Sequence, residues 1–139
     1  MKYGSLILEK KEYVYLKRIL NISGYAEDFQ TQKSLQKLSD KLKTAQVVDE
    51  IDIPEDVIRF NSKIMVYSEN GWEKAIQLVI PSEKDNKQDK ISILTTMGAA
   101  LIGCSEKDTI EWDFPSGKQQ IRIVTVIQDS KTKKINESV

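Results

Sequence analysis

The chain has 139 residues, with 21 Lys+Arg against 21 Asp+Glu, no histidine and one cysteine, Cys104. One domain of this size, or a small domain with an appendage, can bury roughly two thirds of its unfolded surface, and 40% hydrophobic with 30% charged residues is an ordinary globular composition. The missing histidine excludes His-based acid–base catalysis, Ser–His and Cys–His nucleophile pairs and His-containing metal sites, and one cysteine allows neither an internal disulfide nor a Cys-cluster zinc site.

Charge is balanced zone by zone. Residues 1–58 carry 9 bases and 10 acids, 59–128 carry 9 and 9, and 129–139 carry 3 and 2. A general nucleic-acid or acidic-membrane binder needs a surplus of cations, so neither partner is expected. The apolar run Leu6-Ile7-Leu8 before Glu9 is too short for a signal-peptide core, and no stretch approaches the ~20 apolar residues of a membrane span. With one unpaired cysteine, this places the expected location in the cytoplasm.

From Lys10 to about Val48 the pattern is helical. Tyr13, Leu16, Ile19 and Leu20 recur at three- and four-residue steps, and Leu35, Leu38, Leu42 and Ala45 form a heptad-like seam. Between them Gly24 suits a helix terminator and Asp28 an N-cap, so residues 1–48 are expected to form a short antiparallel helical hairpin. Asp49-Glu50-Ile51-Asp52-Ile53-Pro54-Glu55-Asp56 holds five acids and no base, and reads as a solvated acidic linker over 49–58.

Beyond Arg59 the period falls to two. Ile76, Leu78 and Ile80 alternate with Ala75, Gln77 and Val79, and Ile110, Trp112 and Phe114 alternate with Glu111 and Asp113. Ile121, Ile123, Thr125 and Ile127 are expected on one face, with Arg122, Val124 and Val126 on the other. Asn70-Gly71 predicts a type I′ hairpin, Pro115-Ser116-Gly117 a second turn, and Ser82–Lys90 a charged hairpin loop. Thr95 as cap and Gly103 as terminator bracket one short helix laid on the sheet. The tail 129–139 is expected to be flexible. The fold class is α+β: a helical hairpin, then an antiparallel sheet crossed by one helix.

Three motifs carry a resemblance. Ile53-Pro54-Glu55-Asp56-Val57-Ile58-Arg59-Phe60-Asn61-Ser62-Lys63-Ile64 resembles the Pro-x-Asp-Val-Val-x-Met-Asn-Ser-x-Val entry of Rnk-type proteins, regulators of nucleoside diphosphate kinase within the Gre transcript-cleavage-factor superfamily. Ile91-Ser92-Ile93-Leu94 with Met97-Gly98-Ala99-Ala100-Leu101-Ile102-Gly103 is similar to that group's Leu-Ser-Val-x-x-Pro-Val-Gly-Ala-Ala-Leu-Leu-Gly signature. Asp108-Thr109-Ile110-Glu111-Trp112-Asp113-Phe114-Pro115-Ser116-Gly117 is similar to its Gly-Asp-x-Ile-x-Trp-x-Leu-Pro-Gly-Gly hairpin. Thr96 replaces the family's usual proline, and Lys107 the glycine before Asp108.

The resemblance implies an FKBP-like domain over 59–128 that docks at the rim of the RNA polymerase secondary channel. It also implies a coiled coil that enters the channel, where acidic tip residues of true cleavage factors help the polymerase hold its magnesium ion. Rnk-type members have a shorter coiled coil, which points to a non-enzymatic regulator occupying the channel without stimulating cleavage. By position, Leu94, Thr95, Thr96 and Met97 would form the docking loop, and Glu27 and Asp28 the hairpin tip. Those two are also the only, weak, metal candidates, and only jointly with polymerase; the plainer reading makes Asp28 a helix cap with Glu27 beside it. Lys33, Lys37 and Lys41 recur every four residues along the hairpin shaft, as a contact stripe or as a solvated flank.

No cofactor, catalytic residue or glycine-rich phosphate loop is expected. Cys104, with no histidine to activate it, reads as structural. The protein is expected to be a monomer or a weak homo-oligomer. The alternatives are an FKBP-fold peptidyl-prolyl isomerase, whose proline pocket would need converging aromatics, and an adaptor for a protein other than polymerase.

Overall fold

A computed structural model describes residues 2–22, 29–114 and 117–129. The fold is α+β, as the periodicities predict. A short strand β1 (Ile7–Glu9) runs into helix α1 (Lys10–Ile22), and α2 (Phe29–Leu42) is followed by strand β2 (Gln46–Val48). The second unit contains β3 (Lys63–Ser68), β4 (Glu73–Val79), β5 (Lys90–Ser92), helix α3 (Thr96–Leu101), β6 (Thr109–Phe114) and β7 (Gly117–Ile127). These five strands form one sheet in the order β5-β4-β3-β7-β6.

The helical segment departs from a plain hairpin in its ends. α2 stops at Leu42 rather than near Val48, so Ala45 lies outside the helix. Gln46–Val48 instead pairs in parallel with Ile7–Glu9, and the Gln46 N–H donates to the Leu6 carbonyl at 2.8 Å. Because β1 leads into α1 and β2 follows α2, this pairing holds the start of α1 beside the end of α2. With the other ends joined through 23–28, the two helices run antiparallel. At α1's N-terminus, Glu9 bends its carboxylate back to accept from the N–H groups of Lys11 (2.9 Å) and Glu12 (3.1 Å), which the helix leaves without partners. The leucine seam of α2 is buried, but α2 packs more extensively on α3 than on α1.

The acidic segment is solvated at Asp49, Ile51, Asp52 and Glu55 but anchored at its ends. Glu50–Asp52 forms a 3-10 turn, Glu50 pairs with Arg59, and Val57 and Ile58 are fully buried. Ile58 N–H donates to Cys104 O at 2.8 Å, Gly103 N–H to Ile58 O at 3.0 Å, and Ile7 N–H to Gly103 O at 3.1 Å. One hydrophobic core therefore runs from Leu6, Leu8, Leu16 and Leu38 through Ile58 and Phe60 to Leu101, Ile121 and Ile123. Tyr15 of α1 meets the Phe60 ring edge-on at 5.5 Å.

Three local expectations of the sheet change. Asn70 does not take positive φ; Gly71 alone does (φ +93), and Ser68 N–H donates to Trp72 O. The hairpin is thus a three-residue loop closed by a left-handed glycine rather than a type I′ turn. β5 runs parallel to β4, so residues 81–89 form a crossover with two 3-10 turns, not a hairpin loop. On β7 the register slips, because Met65 faces Thr125 while Val66 faces Ile123. The extra residue Val124 is a β-bulge that reverses the faces after it. Val126 consequently turns inward, and Ile127, expected inside, is 61% exposed.

The recurring motif residues are structural anchors. Ser62 Oγ accepts from Arg59 N–H (2.8 Å) and donates to Gln128 Oε1 (2.7 Å), while Gln128 Nε2 donates to Val57 O (2.7 Å). Buried Asp108 accepts from Ser105 N–H at 2.9 Å and from Lys2 N–H at 2.6 Å. Lys107, where the resembled family has glycine, sits at φ +76. A left-handed non-glycine residue carries strain, so Lys107→Gly is expected to raise stability by about 0.5–1 kcal/mol, read from the midpoint of urea unfolding.

At Gly98 an added Cβ would lie 2.4 Å from the Ser92 carbonyl oxygen. That contact is with backbone, so Gly98→Ala is expected to cost about 1–3 kcal/mol and to lower the melting temperature. An unchanged melting temperature would mean that the α3 entry is looser than its geometry indicates.

Candidate functional site

The predicted docking loop is built on a serine–threonine turn. Ser92, buried at the end of β5, accepts from Leu94 N–H through its Oγ at 3.0 Å. Thr95 Oγ1 donates to Ser92 O at 2.7 Å and accepts from Gly98 N–H at 3.0 Å, making Thr95 the N-cap of α3. Of Ala99, Ala100, Leu101 and Ile102, all expected to face the sheet, Ala100 is only half-buried and the other three are buried, and Gly103 takes positive φ after the helix. Leu94, Thr95, Thr96 and Met97 are half-buried, with Leu94 and Met97 leaning on the core. Thr96 Oγ1 lies 3.5 Å from Thr31 Oγ1 of α2, so the loop and the helical segment share one surface.

Of the other candidate residues, Lys33, Lys37 and Lys41 are exposed along α2. Glu27 and Asp28 lie outside the described residues. Cys104 is buried, and burial pushes its thiol up to about 12, far from a reactive thiolate. Phe60, Trp72 and Trp112 belong to or lean on the core rather than converging on a cavity, which gives a proline pocket no support. Among the described residues no three acids or thiols group as metal ligands.

Two features escaped the sequence reading. The first is a buried charge cluster. Arg59 grips Glu50 with both terminal nitrogens (2.7 and 2.9 Å) and Glu12 with Nε (3.0 Å). A signal was present: Glu12 lies one turn before Leu16 on the apolar stripe of its helix, where an acid needs a partner. Glu12 Oε2 is buried without a hydrogen-bond partner. The second is a cleft of about 810 Å³ between α1 and α2, which exists because the two helices touch little along their length.

Comparison with known proteins now decides the family. The model of the GreA/GreB transcription elongation factor C-terminal family matches residues 53–128. The chain belongs to that family. It is 34% identical over 91 residues to the transcription elongation factor GreA of Brucella anthropi, covering 65% of this chain and 58% of that protein. The GreA of Brucella canis is 33% identical over 93 residues, covering 66% and 59%. The chain thus spans under two thirds of the length of these curated relatives. Among solved structures it is similar to a prokaryotic GreA/GreB elongation factor from Nitrosomonas europaea, with a TM-score of 0.72 and 30% identity over 89% of this chain and 98% of the other.

In this family member the charge cluster is a pH-dependent joint. Burial pushes the Glu12 carboxyl up to about 7, although Arg59 pulls the other way. The folded state then holds a proton that the unfolded chain releases from about pH 4.5, so Glu12's contribution favours folding at low pH and is lost as pH rises through about 7. Glu12→Gln removes this titration. The wild type minus variant stability difference should therefore fall by roughly 1–3 kcal/mol between about pH 4.5 and 7, measured by urea unfolding across pH. A flat difference would mean that Glu12 stays ionised beside Arg59.

Proposed function

We propose that this protein is a non-enzymatic transcription regulator that binds RNA polymerase at the secondary-channel rim and occupies the channel without stimulating transcript cleavage. Membership of the GreA/GreB C-terminal family over 53–128 supports polymerase as the partner. The observation that carries the non-cleaving part is the length of the helical arm. Among the described residues α1 spans 13 residues and α2 spans 14, about 20 and 21 Å at 1.5 Å per residue, before residues 23–28 are counted. α2 also ends at Leu42 rather than near Val48, which shortens the arm at its base and favours the Rnk-type branch over the cleavage factors.

In this reading residues 59–128 dock and residues 1–48 probe, with 49–58 clamped between them by Arg59 rather than acting as a free tether. Leu94, Thr95, Thr96 and Met97 form the docking loop. Lys33, Lys37 and Lys41 flank the shaft, and Glu27 and Asp28 mark its tip. The protein works as a monomer or weak homo-oligomer in the cytoplasm, with no cofactor and without direct contact to nucleic acid or membrane. It acts on another enzyme's active centre and has none of its own.

The test uses stalled elongation complexes of purified polymerase. The protein should bind them and slow cleavage stimulated by an added GreA, without shortening the transcript itself. Rapid shortening from the transcript 3′ end would overturn the non-cleaving reading. Failure to retain the polymerase would overturn the partner.

A further inference from the structure

The cleft between α1 and α2 is not absorbed by the proposed docking loop, tip or shaft. Its floor is apolar, made by Leu20 of α1 and by Leu35 and Leu42 of α2. Its rim carries Lys17, Arg18 and Lys43, and among the described residues that line it there is no acid. Lys43 has an exposed neighbour in Asp40 at 3.7 Å, but neither Lys17 nor Arg18 forms an ion pair among the described residues. None of the shaft lysines at 33, 37 and 41 lines the cleft, so this is a second cationic feature on another side of the arm.

We propose that this cleft is a docking groove for an acidic amphipathic helix of a partner protein. Two antiparallel helices that touch little leave a furrow matched to a third helix, whose apolar side chains at i, i+3, i+4 and i+7 would settle on the leucine floor. The lining runs from Gln32 on α2 to Lys43 just past its end, about 17 Å at 1.5 Å per residue, so it takes about three helical turns. Glutamates flanking that apolar stripe would reach Lys17 and Arg18 on one wall and Lys43 on the other. Charge decides between occupants. A second copy presenting the same cleft would set cations against cations, and a phosphate backbone would leave three leucines facing a polar chain. Among the described residues the only aromatic ring in the lining is Tyr13, and Lys17 Nζ stands 5.6 Å from its centre, so base stacking is poorly served there.

The test uses the full chain and fluorescent peptides of about three to four turns. They are covalently stapled because so short a helix is marginal in water. One peptide carries a leucine stripe flanked by glutamates, a second the same stripe flanked by lysines. The glutamate peptide should bind, weaken at high salt, and lose about tenfold or more in affinity with Lys17→Glu plus Arg18→Glu. The same double variant should gain affinity for the lysine peptide, while Lys84→Glu plus Lys87→Glu, exposed on the crossover between β4 and β5, leaves both unchanged. Melting curves check that the variants remain folded, and the gain for the lysine peptide cannot arise from misfolding. No binding of the glutamate peptide would overturn the proposal. So would equal binding of both peptides, tighter binding of an oligouridine competed from the cleft, or dimerisation that the Lys17/Arg18 reversal abolishes.

Discussion

Arg59 brings a full charge to the point where helix α1, the acidic segment and the sheet meet, and it is only 5% exposed. A guanidinium there must have its fork filled, and it is filled by Glu50 from nine residues upstream and Glu12 from 47 residues upstream. Removing a buried partner from such a cluster leaves the Arg59 charge poorly satisfied, whereas the half-exposed Glu50 can be partly replaced by water. The attraction therefore sets geometry more than it adds stability. It fixes where α1 starts over the sheet and keeps residues 49–58 folded against the core.

Other elements depend on that placement. With the start of α1 fixed, β1 can pair in parallel with β2 and hand its Ile7 N–H to Gly103, behind α3. α2 then descends across α3 and brings Thr31 beside Thr96. The proposed docking loop and the proposed probing arm are consequently joined by one core and share one surface. The same placement holds α1 away from α2 along most of their length and opens the cationic cleft.

Motif residues that carry the family resemblance turned out to be buried joints. Ser62 ties the Arg59 turn to Gln128, Asp108 ties the N-terminal Lys2 to the Ser105 turn, and Gly98 lets α3 lie against the Ser92 carbonyl. Such residues identify a fold well and a contact surface poorly. That is why the family could be read from the sequence, while the placement of exposed cations around the cleft could not.

Much of the fold was legible locally. The helical period of Tyr13–Leu20 and Leu35–Leu42, the alternation through Ile76–Ile80 and Ile110–Trp112, and the Thr95 cap with its Gly103 terminator each report which side of a short segment faces water. The absence of histidine and the single cysteine, read from composition alone, removed histidine-based catalysis, internal disulfides and Cys-cluster metal sites within this sequence. Features that depend on distant partners were not legible. Three-residue strands such as Ile7–Glu9 and Gln46–Val48 are too short to show a period, and nothing local distinguishes the parallel β4–β5 pairing from a hairpin. The inversion at Val124 needs the opposing strand to reveal the extra residue. Sequence by itself determined the longer elements, most of their buried faces and the family. Tertiary structure decided register, the Arg59 joint and the cleft, because each is set by contacts between residues far apart in the chain, whose free energy no local pattern encodes.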